Sequence, residues 1–333
     1  MKIYTYRDKP IKVFGVPFFE ETQVLERVPE KIRNSLPKVY EPLGRRCPGG
    51  RVAFKTNAEE FTIELTLESL SVDVAMSLYS CQSAEVFVGD RSTARFAGLV
   101  SPSSYENTVF QKTFKKDSSL EDITIFLPRN EHVENLKIII PDNAVIEAPT
   151  PYKFGPVLFY GSSITEGGCS TRVSNGYNAI LSNKLDIDYY NFGFSGSAKG
   201  ELIMADYINT IDIKGFVYDY DYNAPTAEHL DNTHEAFFKR IREKNPQMPI
   251  IIMSRLNFDI EKDISKRKSI IYNTYKNAAD NGDKNVYFID GEKIFNPLDS
   301  QACSIDTIHP NDLGFYRMAQ AIEPVIRSAF NIE

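Results

Sequence analysis

The stretch PVLFYGSSITEGG, residues 156–168, determines our interpretation of the fold. Its apolar run 157–160 has the length of a strand that is buried on both faces, and Gly161 and two serines follow directly. In an open parallel sheet, ligands bind outside the carboxyl ends of the strands. A serine in the turn after such a strand is therefore presented at the functional edge of the sheet, and Ser163 has this position.

Strand and helix patterns alternate from this stretch to the C-terminus. The predicted strands are 157–160, 187–194, 215–222, 249–254 and 285–290. The clearest helical patterns cover about 226–245, 263–282 and 313–330. This alternation implies right-handed crossovers and a parallel sheet between two layers of helices. We therefore predict an α/β domain over residues 151–333, with three layers and a parallel five-stranded sheet.

The preceding residues, 1–150, have a different pattern. EFTIELTL, residues 60–67, alternates between apolar and polar side chains, and several similar short runs are separated by Gly, Asp, Asn, Ser and Pro. No convincing amphipathic helix interrupts the series. This pattern is typical of an antiparallel, jelly-roll-like β-sandwich. The Pro-rich stretch APTPYKFGP, residues 148–156, is the predicted boundary between the two domains.

The composition excludes several classes of protein. The 333 residues include 38 basic and 45 acidic side chains, for a formal net charge of −7, which argues against nucleic acid or an anionic membrane as partner. The N-terminus does not show the basic segment followed by an apolar segment that is typical of a signal peptide, so we expect a cytoplasmic protein. Because the four cysteines include no C-x-x-C pair, we expect reduced thiols and no metal site.

A second candidate segment is CSIDTIHPNDLGF, residues 303–315, in which Asp306 and His309 are three residues apart before the last predicted helix. Imidazole changes its protonation near neutral pH and can therefore activate a hydroxyl. A carboxylate on the other ring nitrogen fixes the tautomer of that base. Taken alone, the pair is equally a loop histidine with a capping aspartate.

The stretch around Ser163 matches neither the phosphate-loop nor the G-x-S-x-G pattern.

Two further strand ends carry possible hydrogen-bond donors. Gly193 and Gly196 follow the second strand, where a glycine can expose its backbone N–H group. Asn223 follows the third strand and carries an amide that can donate to an oxyanion. Taken singly, each of these is more often an ordinary turn residue. Asp219 and Asp221 stand in a strand expected to be buried, and we favour binding to loop N–H groups over a role of Asp221 in the site.

Together these segments resemble the SGNH (GDSL-type) hydrolase family. Ser163 in GSSI, Gly196 in FSGS, Asn223, and Asp306 with His309 in DTIHP match its blocks. The whole chain, including RCPGGR at 46–51, looks like two-domain members with an N-terminal β-sandwich. This sequence has Ser162 where the family usually has Asp, and Asp221-Tyr222-Asn223 where it usually has Gly-x-Asn.

The resemblance implies a serine esterase with a flavodoxin-like catalytic domain. Ser163 would be the nucleophile, His309 its base and Asp306 the partner of His309, although a Ser–His pair can suffice. The N–H groups of Ser163 and Gly196 and the amide of Asn223 would form the oxyanion hole. The expected substrate is a small acyl ester, an O-acetylated carbohydrate above all, with no cofactor or metal.

Two other functions stay open at this point. One is a carbohydrate-binding protein without activity. Exposed aromatic side chains on the sandwich would support it. The other is a thioesterase or lipid acylhydrolase, which needs a long apolar channel. A homo-oligomer is equally compatible with the sequence.

Overall fold

The structure, a computed structural model, describes residues 1–256 and 263–332. The N-terminal part forms two antiparallel sheets that enclose one apolar core. Its strands are β1 (Lys2–Thr5), β2 (Lys12–Phe14), β3 (Arg51–Thr56), β4 (Glu60–Leu67), β5 (Ala84–Val88), β6 (Arg95–Val100), β7 (Val109–Lys115), β8 (Glu121–Phe126), β9 (Val133–Ile140) and β10 (Ile146–Glu147). One sheet has the order β1-β9-β4-β7, and the other β10-β3-β8-β5-β6 with β2 beside β3. The predicted sandwich is confirmed, and β4 alternates between buried and partly exposed residues as its sequence indicates.

Short helices interrupt this sandwich, contrary to the expectation from its sequence. They are α1 (Phe19–Thr22), α2 (Glu30–Arg33), α3 (Tyr40–Arg45) and α4 (Leu78–Gln82). A helix of about one turn is too short to show a helical period, so the sequence pattern does not predict these helices.

The C-terminal part contains a parallel sheet. Its strands are β11 (Phe154–Gly161), β12 (Ile187–Gly193), β13 (Gly215–Asp219), β14 (Ile250–Met253) and β15 (Val286–Ile289). They have the order β12-β11-β13-β14-β15, which is the flavodoxin-like order. The helices are α5 (Ser163–Glu166), α6 (Tyr177–Leu185), α7 (Leu202–Ile208), α8 (Ala227–Lys244), α9 (Ile264–Asp280), α10 (Pro297–Cys303) and α11 (Asp312–Phe330). The predicted α/β fold is confirmed.

One strand ends earlier than predicted. β13 stops at Asp219, and residues Asp221–Asn223 form a 3₁₀ turn instead of the end of a strand. None of the helices in the described residues is long and apolar enough to cross a membrane.

The helices α2 and α3 pack on the C-terminal domain although they precede most of the sandwich. Val28, Leu36, Tyr40 and Leu43 lie in the same apolar core as β11, β12 and β13. The phenol of Tyr40 donates to the carbonyl oxygen of Ser197 at 2.7 Å, and its ring meets Phe194 edge-on. The N-terminal region thus completes the core of the α/β domain. The division at residue 150 stays a prediction.

A buried ion pair also joins the two parts. Arg51 on β3 is fully buried, and its guanidinium binds the carboxylate of Asp188 on β12. The same guanidinium lies over the ring of Tyr189, 4.3 Å from its centroid. The contact of Arg51 with Asp188 and Tyr189 therefore joins the sandwich to β12.

We predict that Tyr40→Ala destabilises the whole chain by about 3–5 kcal/mol, the usual cost of truncating a buried aromatic residue. Val39→Ala is the matched control, because Val39 precedes Tyr40 in the chain and is 50% exposed. Urea unfolding of both variants measures the two changes in free energy. Equal, small effects would show that α3 is only a linker.

Candidate active site

Three adjacent strands end at one edge of the parallel sheet. Gly161 at the end of β11 is in register with Gly193 of β12 and with Asp219 of β13. Because parallel strands end on the same side, the segments that follow them meet there. Ser163, Gly196 and Asn223 therefore leave neighbouring strand ends, as the sequence predicts.

The turn that presents Ser163 requires glycines at two of these strand ends. A Cβ atom on Gly161 would lie 1.9 Å from the carbonyl oxygen of Asp219, and one on Gly193 would lie 2.0 Å from the amide nitrogen of Glu166. Ser162 caps α5, because its Oγ accepts the N–H of Ile164 at 3.2 Å. Ser163 is then the first residue of the helix, so its N–H group has no partner within the helix.

Ser163, His309 and Asp306 form a continuous chain of hydrogen bonds. Oγ of Ser163 lies 2.8 Å from Nε2 of His309, and Nδ1 of His309 lies 2.6 Å from Oδ2 of Asp306. The other carboxylate oxygen of Asp306 accepts the N–H groups of Ile308 and His309, at 3.0 and 2.7 Å. A bridge between Ser304 and Pro310 closes this loop at its base. The capping role of Asp306 and its contact with the imidazole are thus both present.

The electrostatics favour an ionised Asp306. Partial burial acts to raise the pKa of this carboxyl, but the hydrogen bonds from His309 and Ile308 outweigh it, so the pKa lies below its ordinary value. The carboxylate therefore stays charged across the range in which an imidazole titrates. The negative charge of Asp306, beside Nδ1, stabilises the imidazolium that forms when His309 takes a proton.

Two of the predicted oxyanion donors have an N–H group that can donate to a ligand. Gly196 is exposed with a φ of +65°, and its N–H makes no hydrogen bond within the described residues. The amide nitrogen of Asn223 donates to the carbonyl oxygen of Phe194 at 2.9 Å. Because a side-chain amide has two N–H donors, this contact orients Asn223 and leaves its second N–H for a ligand.

The two aspartates near Asn223 have different partners from those we favoured. Asp221 is buried and binds the guanidinium groups of Arg255 and Arg267, with its oxygens 3.4 and 2.9 Å from their nitrogens. Arg267 also donates to the carbonyl oxygen of Ala224 at 3.1 Å. Arg255 and Arg267 come from distant segments, so the sequence did not indicate these partners of Asp221.

Asp219 is bound by a hydroxyl group instead. Oγ of Thr165 donates to one of its carboxyl oxygens at 3.3 Å. Burial raises the pKa of Asp219, and the neighbouring charge of Asp221 acts in the same direction. This carboxyl group faces the turn under Ser163 and belongs to its support.

The residues that hold the loop after β12 were not predicted from the sequence. Arg27 is buried, and its Nη2 lies 3.0 Å from Oε1 of Glu166 on α5. The other carboxylate oxygen of Glu166 accepts the hydroxyl and the N–H of Ser195, which precedes Gly196. Nη1 of Arg27 donates to the carbonyl oxygen of Gly193 at 2.6 Å. Arg27 is 139 residues from Glu166, and no local pattern marks the pair.

The other histidines lie outside this site. His132 and His229 contact backbone carbonyl oxygens through ring nitrogens, at 3.1 and 2.8 Å. His234 is buried beside the hydroxyl of Thr274, and burial lowers its pKa to about 3. His229 and His234 point in different directions from α8, as their spacing predicts.

A loop of the sandwich, residues 69–77, lies against the nucleophile turn. The N–H of Cys169 points to Sδ of Met76 at 3.3 Å, and its thiol lies 3.5 Å from the carbonyl oxygen of Ala75. Gly168, the preceding residue, donates its N–H to the carbonyl oxygen of Ser163 at 2.7 Å. The sandwich therefore reaches the backbone that carries the serine.

Models of protein families match the chain in two parts. Residues 155–327 match the GDSL-like lipase/acylhydrolase family, and residues 1–146 match the N-terminus of SGNH-hydrolase-type esterases. No curated protein matches the sequence.

Several solved structures share the fold over the whole chain. A candidate GDSL-like lipase from Bacteroides ovatus has 22% identity and a TM-score of 0.89, with 100% of this chain and 98% of that chain covered. A salicylyl-acyltransferase from a tetracycline biosynthetic pathway has 14% identity and a TM-score of 0.82, with 100% and 99% covered. A family two carbohydrate esterase from Clostridium thermocellum, in complex with cellohexaose, has 14% identity and a TM-score of 0.62, with 85% and 93% covered. These identities show a common fold alone.

The match over residues 155–327 spans more than half of the chain and includes the Ser163, Asn223 and His309 segments. The match over residues 1–146 adds the sandwich. Both agree with the family that the motifs resemble. The chain belongs to the GDSL-like lipase/acylhydrolase family and is a serine ester hydrolase with an SGNH-type N-terminal domain.

Proposed function

We propose that this enzyme removes short O-acyl groups, acetyl above all, from a carbohydrate. The observation that carries the proposal is the hydrogen-bonded chain from Ser163 through His309 to Asp306 at the edge of the sheet. Free N–H donors on neighbouring strand ends complete the chemistry that acyl transfer needs.

The first half of the reaction forms an acyl-enzyme. Nε2 of His309 takes the proton of the Ser163 hydroxyl as Oγ attacks the ester carbonyl carbon. The carbonyl oxygen becomes an oxyanion, which the N–H groups of Ser163 and Gly196 and the second N–H of Asn223 stabilise. The C–O bond to the alcohol then breaks, and His309 returns the proton to that alcohol.

The second half of the reaction consumes water. His309 takes a proton from a water molecule, whose oxygen attacks the acyl carbon, and Ser163 recovers its proton when the acid leaves. The side chains of His309 and Asp306 are 21% and 44% exposed, so the base is open to solvent.

The position of the sandwich loop supports a short acyl group. Ala75 and Met76 contact Cys169, close to the backbone of Ser163. We take this loop as the wall of the acyl side, where each extra methylene group must be accommodated or causes strain. A lipid acylhydrolase or a thioesterase with a long acyl chain needs an apolar channel at the same place.

A carbohydrate as the alcohol half agrees with an open, polar site edge. Two of the family's features support it: the N-terminal sandwich and the shared fold with a carbohydrate esterase. The binding protein without activity is the less favoured alternative, because the hydrogen-bonded Ser163, His309 and Asp306 would have no use in it.

We expect acetyl esters to be turned over faster than butyryl esters, and octanoyl esters to be very poor substrates. Rates with p-nitrophenyl esters of the three acids, measured side by side, test this expectation. Ser163→Ala should lower kcat about 10³-fold or more, because it removes the nucleophile.

Ser162→Ala is the matched control, since Ser162 only caps α5 in the structure. A fluorophosphonate should label Ser163 and leave Ser162 free. Octanoyl esters that outperform acetyl esters would contradict the short-acyl proposal, and full activity of Ser163→Ala would remove the nucleophile itself.

We expect Asn223→Ala to lower kcat by about 10²–10³, with little change in KM, because an oxyanion donor acts chiefly in the transition state. Steady-state kinetics with an acetyl ester measures both constants, and the melting temperature checks that the variant is folded. An increase in KM at constant kcat would assign Asn223 to substrate binding instead.

We expect kcat/KM to fall as the pH is lowered through the range where imidazole takes up a proton, about pH 5–8. A carboxyl with a lowered pKa keeps its charge down to lower pH, so Asp306 adds no second transition there. Asp306→Asn should lower the rate and keep the transition, whereas His309→Gln should abolish activity. A flat profile of the native enzyme over this range would indicate a different base.

A further inference from the structure

Exposed aromatic side chains cluster on one side of the sandwich. Within the described residues, five aromatic side chains are exposed, and three of them lie near α4 and β6. These are Tyr79, Phe96 and Tyr105, which are 57%, 41% and 58% exposed. Exposing an aromatic ring to water costs free energy, so a cluster of exposed rings on a surface indicates a binding site.

Two hollows of similar size adjoin each other around Tyr79. The first, of about 470 Å³, is lined by Ser77, Tyr79, Ser101, Ser103, Ser104 and Tyr105, among others. The second, of about 500 Å³, is lined by Tyr79, Phe96, Gly98, Ser101, Gln111 and Lys112, among others. Both hollows include Tyr79 and Ser101, and we call the two adjoining hollows together the tyrosine groove. Each hollow has the volume of an ordinary ligand site, about 300–1,000 Å³.

The first hollow is uncharged, and both apolar and hydroxyl-bearing side chains line it. The described residues that line it are serines, tyrosines, Gln82, Leu78 and Pro102, with no acidic or basic side chain. The phenol oxygens of Tyr79 and Tyr105 and the hydroxyl of Ser103 form no hydrogen bond within the described part of the chain. An anionic ligand would need a cation there, so the chemistry of the hollow selects a neutral ligand that is rich in hydroxyl groups.

The tyrosine groove begins beside the active site. Ser77, at its near end, donates its hydroxyl to the carbonyl oxygen of Thr171 at 2.9 Å. Thr171 in turn donates its N–H to Asp312, which follows the His309 loop at the start of α11. The groove therefore leads from the rim of the catalytic edge across the sandwich.

We infer that the tyrosine groove binds a neutral oligosaccharide, as a subsite for the chain that carries the scissile ester. A pyranose ring has an apolar C–H face that fits an exposed tyrosine ring, and hydroxyl groups at its edge that fit serine hydroxyls. Two adjoining hollows offer places for more than one sugar ring. The link to turnover rests on the proposed function, whereas binding itself does not.

Binding is measured first with protein that cannot turn over substrate. Ser163→Ala protein is titrated with cellohexaose and with xylohexaose by calorimetry and NMR. We expect binding to one of them, and we expect Tyr79→Ala and Tyr105→Ala to weaken it about tenfold each, the effect of one good contact of about 1.4 kcal/mol. Tyr272→Ala, an exposed tyrosine on α9, is the matched control and should have no effect.

Turnover then tests the link between the groove and the active site. In the active enzyme, Tyr79→Ala should lower kcat/KM about tenfold on an acetylated xylan and leave p-nitrophenyl acetate hydrolysis unchanged, because that small ester does not reach the groove. If no acetyl ester is hydrolysed at all, the proposed function fails, while the calorimetric titration still decides on the subsite.

Two results would overturn the inference. One is the absence of oligosaccharide binding, or binding that Tyr79→Ala and Tyr105→Ala leave unchanged. The other is concentration-dependent dimerisation in sedimentation experiments that Tyr79→Ala abolishes, since the exposed rings would then be an interface between two copies of this chain.

Discussion

The arrangement of the catalytic edge depends on one buried ion pair, between Arg27 and Glu166. Arg27 comes from the N-terminal region, and Glu166 ends the helix that begins at Ser163. The guanidinium also binds the backbone of Asn191 and Gly193, while the carboxylate holds Ser195. Since removing one partner of a buried pair leaves an uncompensated charge, at a cost of about 3–5 kcal/mol, the nucleophile turn and the oxyanion loop are held as one unit.

A second buried cluster supports the opposite side of the site. Asp221 binds Arg255 and Arg267, and it thereby fixes the turn that carries Asn223. Tyr222 of the same turn lies under the guanidinium of Arg255, 4.3 Å from its ring centroid. Each loop with a candidate oxyanion donor is thus anchored by buried arginine. Donors held in this way need little reorganisation when charge develops on a substrate, which is the condition for electrostatic catalysis.

The two domains act as parts of one catalytic body. The sandwich supplies Arg51 to the interface and Met76 to the wall beside Cys169, and the short helices before it supply core residues such as Tyr40. The N-terminal region therefore completes the core of the hydrolase domain and contacts the turn that follows Ser163.

The sequence predicted the class of each domain and supplied the candidate residues of the catalytic edge. Alternation of period two predicted the sandwich, and short apolar runs between helical patterns predicted the parallel sheet, because both patterns depend on local burial. Ser163, Asn223 and His309 were predicted because their segments, taken together, resemble blocks of the SGNH family. The partners of the buried charges became known from the fold. Arg27 and Arg267 reach Glu166 and Asp221 from distant segments, and such pairing is set by how the chain packs and not by any local pattern.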